Sequence, residues 1–299
     1  MQNYPSSPVK FIVGSPFGGG VDQVTRIVAG QLAKRLGCEV NVENVTGTSA
    51  MIGSAKAAKS APDGHTLLMV SSQFSVLPAM YEVMPYDTLR DFTPLTQVAT
   101  SPLVVVVPAS LPVNSIVELI ALARARKLKY ANAGNGGSPH LATESFLTMA
   151  GIKMEGVLYE GIMPCIADLI TANVDLLFAS LASVLAHIRQ GRLKALGVTT
   201  VRRADELPDV PAVAGAGLAG YEYGAWFAAL APAGIPAEVL TKLSSELMHV
   251  LHMPETRADM QRVGYVPVGS SPAQFSAYLK AEMARWAKVV RDAGIRPAD

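Results

Sequence analysis

Charge is scarce in this chain: of 299 residues only 16% are Asp, Glu, Lys or Arg, 50% are hydrophobic, and the formal net charge is +1. With no basic run beyond Arg202-Arg203, the sequence offers no electrostatic footprint for nucleic acid or for an acidic membrane surface. Cysteine is scarcer still. Cys38 and Cys165 are the only two and lie far apart, which reads as two buried free thiols rather than a disulfide framework. The histidines His65, His140, His187, His249 and His252 are scattered, and HExxH, CxxC and GxSxG are all missing. No metal centre, cofactor or nucleophilic catalyst is therefore expected. Long apolar runs are absent as well: Leu103–Pro108 and Val213–Gly220 are far too short to span a bilayer. The opening "MQNYPSSPVKF" lacks the basic and apolar regions of a secretory signal, so either the protein is cytoplasmic or Met1 replaces a removed signal peptide.

What the sequence does have is glycine at strand-to-helix junctions. In "VKFIVGSPFGGGVDQVTRIV" the β-branched and aromatic run Val9–Val13 reads as a buried strand, and Val24, Ile27, Val28 and Leu32 recur at helical spacing. Gly18, Gly19 and Gly20 thus stand at a helix N-terminus, where unpaired N–H groups and the helix dipole favour an anion. Neither nucleotide fingerprint fits. The P-loop needs a lysine that this loop lacks, and the dinucleotide pattern needs a third glycine where Gln23 stands. A tight turn without a ligand is the competing reading.

The pattern then repeats. After a strand at "CEVNVEN", a small-residue helix from Ala50 and a strand at "HTLLMVSS", Ser71, Ser72 and Gln73 fall at a strand's C-terminal end, where ligand sites of parallel sheets collect. "LVVVV" (Leu103–Val107) reads as a buried strand that opens a new unit, followed by a helix over 115–127. "LKYANAGNGGSPHLATESFLTMAG" again gives strand, glycine loop (Gly134, Gly136, Gly137) and helix, with Ser138 as N-cap and Pro139 at the first helical position. Strands and helices alternate to about Thr200, and 237–293 is mainly helical, so the fold class is α/β. Asp22 either complements the helix dipole or lines the cleft. His140 either faces a ligand or is capped and partly buried. Trp226 either belongs to the core or closes over a ligand.

These residues also carry a family likeness. "YPSSPVKFIVGSPFGGGVDQVTRIVAGQLAKRLGCEVNVENVTG", "APDGHTLLMVSS", "PYDTLRDFTPLTQVA", "YANAGNGGSPHLATESF", "LPDVPAVAGAGLAGYE" and "WFAALAPAGIP" together resemble, over nearly the whole chain, the substrate-binding proteins of tripartite tricarboxylate transporters, also called Bug proteins. The resemblance implies a type II periplasmic-binding-protein (Venus flytrap) fold. Its two α/β lobes would be residues 1–101 plus 226–299 and residues 102–225, around a central ligand cleft. It further implies a periplasmic monomer that starts near Tyr4-Pro5 when mature, a small organic mono- or dicarboxylate as ligand, and the integral membrane subunits of a transporter as partners.

Carried over position by position, the likeness assigns ligand contacts to Ser15, Phe17, Gly18, Gly19 and Gly20 with Asp22 just behind, and to Ser71, Ser72 and Gln73. In the second loop it assigns Gly134, Asn135, Gly136, Ser138 and His140, and near the return between lobes Trp226. A carboxylate held by neutral donors explains a loop without lysine, since such capture is readily reversed. One departure stands out. Many family members carry an acid in a run resembling Phe-Asp-Asn, where this chain has Phe178-Ala179-Ser180. Ala179 is therefore expected to disfavour amino acids and to favour plain carboxylates. The rival expectations are a protein that signals to a membrane sensor and a two-lobed α/β transferase.

Overall fold

The computed structural model describes residues 4–47, 50–201 and 203–293; Met1–Asn3, which include part of the expected mature start, and Arg202 lie outside them. In chain order the elements are β1 (Val9–Val13), α1 (Gly20–Leu36), β2 (Val40–Asn44), α2 (Met51–Ala58), β3 (Thr66–Ser71), α3 (Gln73–Met80) and β4 (Phe92–Pro108). There follow α4 (Ile116–Ala125), β5 (Lys129–Asn132), α5 (Ser138–Ala150), β6 (Glu155–Leu158), α6 (Ile162–Ile170), β7 (Leu177–Ser180), α7 (Leu181–Arg189) and β8 (Leu193–Val198). A short 3₁₀ turn at Val213–Ala216 leads to β9 (Gly224–Pro232), α8 (Ala237–His252), α9 (Pro254–Arg262), β10 (Val266–Pro267) and α10 (Pro272–Ala293).

The chain divides into two compact units, Met1–Thr100 with Trp226–Ala287, and Ser101–Ala225 with Lys288–Asp299. The first unit's sheet runs in the order β10-β4-β9-β3-β1-β2. β1 is parallel to both β2 and β3, whereas β9 runs antiparallel to β3 and β10 antiparallel to β4. Both faces of this sheet are covered, which is why its strands read as nearly continuous apolar runs. Strand alternation sorts the side chains. Phe11, Val13, Leu67 and Met69 pack with α1 and with Leu243, Leu247 and Val250 of α8. Ile12, Leu68, Val70, Trp226 and Ala228 point the other way, onto Phe74 and Leu77 of α3 and Phe275 and Leu279 of α10.

In the second unit, β4 beyond Ser101 pairs antiparallel with β7 and with β8, and β5 pairs parallel with β6. The Ala131 N–H donates to the Leu176 carbonyl (2.8 Å), tying β5 to the chain just before β7. Although strands and helices alternate along the chain, not all of the strands pair in parallel. β4 is one strand of 17 residues that begins at Phe92, well before the apolar run Leu103–Val107, and it takes antiparallel partners in both units. β10, only two residues long, has too little periodicity to be legible in sequence.

Candidate functional site

β1 delivers the chain into the loop that precedes α1. At Gly18 the backbone turns left-handed (φ +80°), a conformation open to glycine without strain. Its N–H donates to Asp22 Oδ2 (2.9 Å), and its carbonyl accepts from Gln23 Nε2 (2.9 Å). Gly19 is the N-cap, extended at φ −69° and ψ 163°; its N–H donates to the Pro16 carbonyl (3.1 Å) and its own carbonyl accepts the Gln23 N–H (2.9 Å). Gly20 is bare for a different reason: a Cβ there would stand 2.8 Å from the Tyr265 hydroxyl.

Asp22 is the loop's anchor. Its side chain is 1% exposed and, besides the Gly18 N–H, accepts from Arg26 Nε (3.0 and 2.9 Å) and Asn44 Nδ2 (2.9 Å). Asn44 Nδ2 also reaches the Ser15 carbonyl (2.9 Å), so the last residue of β2 stitches both ends of the turn together. Burial alone pushes the Asp22 carboxyl pKa up, but the hydrogen bonds from Arg26, Gly18 and Asn44 outweigh it and hold the group below its ordinary value. The Arg26 guanidinium also lies over the Phe17 ring, 4.8 Å from its centroid.

Beside this turn lies a cavity of about 340 Å³. Ser15, Pro16 and Val21 bring the loop and the first turn of α1 to it, Ser71 and Gln73 bring the end of β3 and the start of α3, and Thr46, Gly47, Ala50 and Ser54 close another side. The Ser15 hydroxyl is buried and, among the described residues, has no hydrogen-bond partner. First-turn N–H groups of a helix have no partner within the helix, so a 17-residue helix begins beside this cavity with its donors uncommitted to its own turns.

The second unit builds the same turn again. Gly136 is left-handed (φ +72°), and its N–H donates to His140 Nδ1 (3.1 Å), again four residues on. Gly137 is the N-cap at φ −72° and ψ 159°; its N–H donates to the Gly134 carbonyl (3.2 Å) and its carbonyl accepts the Leu141 N–H (3.0 Å). Even the threonine three residues past each anchor matches, Thr25 donating to Val21 O (2.6 Å) and Thr143 to Pro139 O (2.8 Å). Asn132, the last residue of β5, accepts from the Gly134 N–H (3.0 Å) and donates to Asn135 Oδ1 (2.7 Å).

The anchor is what differs. His140 is 7% exposed, and because Nδ1 accepts from Gly136 its proton sits on Nε2, which lies 3.8 Å from Glu144. Burial pulls the imidazole pKa down to about 4. Glu144 accepts from the Tyr130 hydroxyl, and burial raises its own pKa while that bond opposes the rise. A separate cavity of about 620 Å³ runs from Glu144 and Leu147 to Met154 and includes none of the loop glycines.

Residues 24–295 match the Tripartite tricarboxylate transporter family receptor. The chain belongs to this family. Among similar proteins, BugT of Bordetella pertussis is 34% identical over 297 residues, 98% of this chain and 91% of its own. The structure of R. palustris Rpa4515 with adipate superposes with a TM-score of 0.83 at 34% identity, covering 99% of this chain and 100% of that one. MatC from Rhodopseudomonas palustris with bound malate gives 0.78 at 26% identity, with coverage of 96% and 100%. The α/β fold of this family receptor is that of the periplasmic binding proteins.

Within the receptor, the sequence-derived residues separate. Ser15, Ser71 and Gln73 come together at the first cavity; Gly18, Gly19, Gly20 and Asp22 shape the turn beside it. Ser72 is buried, its carbonyl accepting from Ser75 Oγ (2.7 Å), and Phe17 is 77% exposed under Arg26. Gly134, Asn135, Gly136 and His140 form the second turn.

Three expectations need correction. Ser138 is not the N-cap: Gly137 has the extended backbone and accepts the first helical bond, which makes Ser138 the first helical residue. Ala179 faces inward, 0% exposed, in the apolar cluster of Val104, Val106, Cys165 and Leu177, so its methyl fills core space. Trp226 is 0% exposed, its Nε1 donating to Glu282 Oε2 (3.2 Å) and its ring packed on Phe275 and Tyr278, which makes it core rather than a ligand cover. Sequence reasoning passed over Asn44, Arg26, Asn132 and Glu144. A polar residue ending a parallel strand flags the two asparagines, and the four-residue spacing from each anchor flags the other two.

Both cysteines are free thiols, but only Cys165 is buried as expected; Cys38 is half-buried. Among the described residues no group of His, Cys, Asp and Glu is placed to hold a metal ion, and no helix is long and apolar enough to cross a membrane.

Proposed function

We propose that this receptor captures a small organic carboxylate in the periplasm and hands it to the integral membrane subunits of a tripartite transporter, without transforming it. The observation that carries the reading is the duplicated turn. A left-handed glycine pinned to a side chain four residues on stands before a long helix twice, at Gly18 and at Gly136. Each turn is held rigid by groups that do not need the ligand, so donors are pre-organised and little ordering remains on binding. Both turns serve the same ligand in this proposal. Residues 1–101 with 226–299 and residues 102–225 act as its two lobes, as the family resemblance implies. Binding to relatives of adipate and malate accords with a carboxylate as cargo.

The test is a thermal-shift screen of mono-, di- and tricarboxylates on the full chain, followed by mass spectrometry of the mixtures. A ligand at a hundred times its dissociation constant stabilises by about 2.7 kcal/mol. A panel that leaves the melting temperature unmoved overturns the proposal, and a chemically altered ligand overturns the claim of capture without catalysis. Co-purification with the membrane subunits distinguishes delivery from sensing.

A further inference from the structure

Among the described residues the two fully buried carboxylates, Asp22 and Glu282, each hold an arginine, Arg26 at 2.9 Å and Arg285 at 3.3 Å. Glu144 holds none. Its side chain is 17% exposed, the Tyr130 hydroxyl donates to it, and the one basic group within 4 Å among the described residues, His140 Nε2 at 3.8 Å, belongs to a neutral imidazole. Burial accordingly keeps the Glu144 pKa above its ordinary value, with only the Tyr130 hydrogen bond opposing.

This carboxylate lines the cavity of about 620 Å³ in the second unit, together with Leu147, Thr148, Ile152, Lys153 and Met154. That volume suits a small ligand. Lys153 is exposed and makes no ion pair among the described residues, and the Glu144 pKa answers to burial and Tyr130 rather than to this lysine. Two further charges lie close by in the chain or against it: Glu155, exposed, follows Met154, and Arg124 Nη2 donates to the Ala150 carbonyl (3.0 Å). Acids and bases thus balance. Leu147 and Ile152 are buried and Met154 half-buried, and the backbone they hang from is fixed without a ligand, the Ile152 N–H donating to the Leu147 carbonyl (3.1 Å) and the Gly151 N–H to the Thr148 carbonyl (3.2 Å). An ammonium beside Glu144 would supply the countercharge that the fold withholds, in surroundings where such a pair is stronger than in water. A hydrocarbon segment gains from covering Leu147, Ile152 and Met154. A second ammonium would meet Lys153 and be repelled, whereas a carboxylate there is welcomed.

We propose that this cavity is a second ligand site, apart from the cargo turns, that takes a small aliphatic amino acid: its ammonium on Glu144, its hydrocarbon segment against Leu147, Ile152 and Met154, and its carboxylate toward Lys153.

The experiment is a set of calorimetric titrations of the full chain at pH 7 with leucine, whose two charges are adjacent, 6-aminohexanoate, whose charges are far apart, and hexylamine, which lacks the carboxylate. At least one of the two amino acids is expected to bind about tenfold or more tighter than hexylamine. Three variants follow, each checked for folding by thermal unfolding. Glu144→Gln keeps an acceptor for the Tyr130 hydroxyl but removes the charge, and should weaken that amino acid about thirtyfold or more. Lys153→Glu changes an exposed position, so the fold is spared even if Glu144→Gln proves unstable, and it should move the preference about tenfold or more toward hexylamine. Gly18→Val damages the first cargo turn and should leave binding at this cavity in place. Absence of amino acid binding by the parent, hexylamine binding as tightly as both amino acids, undiminished affinity in folded Glu144→Gln, an unchanged preference in Lys153→Glu, or loss of the amino acid in folded Gly18→Val overturns the inference. Carboxylate capture at the turns is judged separately, by its own screen.

Discussion

The turn before α1 and the turn before α5 share a backbone and differ in charge. In both, a left-handed glycine gives its N–H to a side chain four residues on, the next glycine caps the helix, and an asparagine at the end of a strand braces the loop. The anchor of the first is a carboxylate paired with Arg26; the anchor of the second is a neutral imidazole beside Glu144. A hydrogen bond from a backbone N–H asks only for an acceptor, and ionised Asp and neutral His both provide one. The geometry is thus held constant while the electrostatics are free to vary, and the two turns should fail under different conditions.

Removing the first anchor should have the largest effect. Asp22→Ala leaves the Gly18 N–H and Asn44 without their acceptor and the half-exposed Arg26 without its partner, and should lower stability by about 3 kcal/mol. Denaturant unfolding measures it. A loss under about 1 kcal/mol would show that Asp22 does not hold the turn.

Acid should break the second turn first. The folded pKa of His140 is about 4, below its ordinary value of 6.5, so between the two the unfolded chain binds the proton that the folded one refuses. Its contribution is intact above pH 6.5 and is lost as pH falls toward 4, by about 3 kcal/mol in all. Glu144 acts oppositely, since its raised pKa favours the folded state at low pH and that contribution fades as pH rises through the raised value. Asp22, with a lowered pKa, keeps its contribution until pH falls through the carboxylate range. Thermal unfolding across pH 4–7 should therefore show a slope that His140→Gln flattens and Asp22→Asn leaves in place. A slope unchanged in His140→Gln would sink the comparison.

The smallest effects belong to the glycines. Gly18→Ala and Gly136→Ala force an L side chain into the left-handed region and should each cost about 1–2 kcal/mol, nearly equally. For Gly18 the penalty is one of backbone alone, because no atom lies within 4 Å of the Cβ it would gain. A difference above about 1 kcal/mol between the two variants, measured by urea unfolding, would mean that the turns are not equivalent.

How legible was this beforehand? The strand, glycine loop and helix of each turn are plain in sequence because β-branched runs, glycines and helical spacing follow one another without a gap, as at Val9–Leu36. Asp22 was visible as a candidate, but its role was not, since its partners include Asn44, 22 residues away on another strand. Ala179 and Trp226 were assigned to the ligand and belong to the core. Which face of a strand meets solvent depends on what packs there, and for Trp226 that is α10, more than 45 residues downstream. Ser138 and Gly137 were confused because residue type favours serine as a cap, whereas here the backbone and the anchoring histidine decide.

The central claim is that both turns hold the cargo, and it is tested most directly by titrating benzoate and succinate into the parent chain, Gly18→Val and Gly136→Val. Each variant should remain folded, and each should lose about a hundredfold or more in affinity for whichever probe the parent binds, because a β-branched residue cannot keep the left-handed turn. Undiminished affinity in either folded variant would contradict the account.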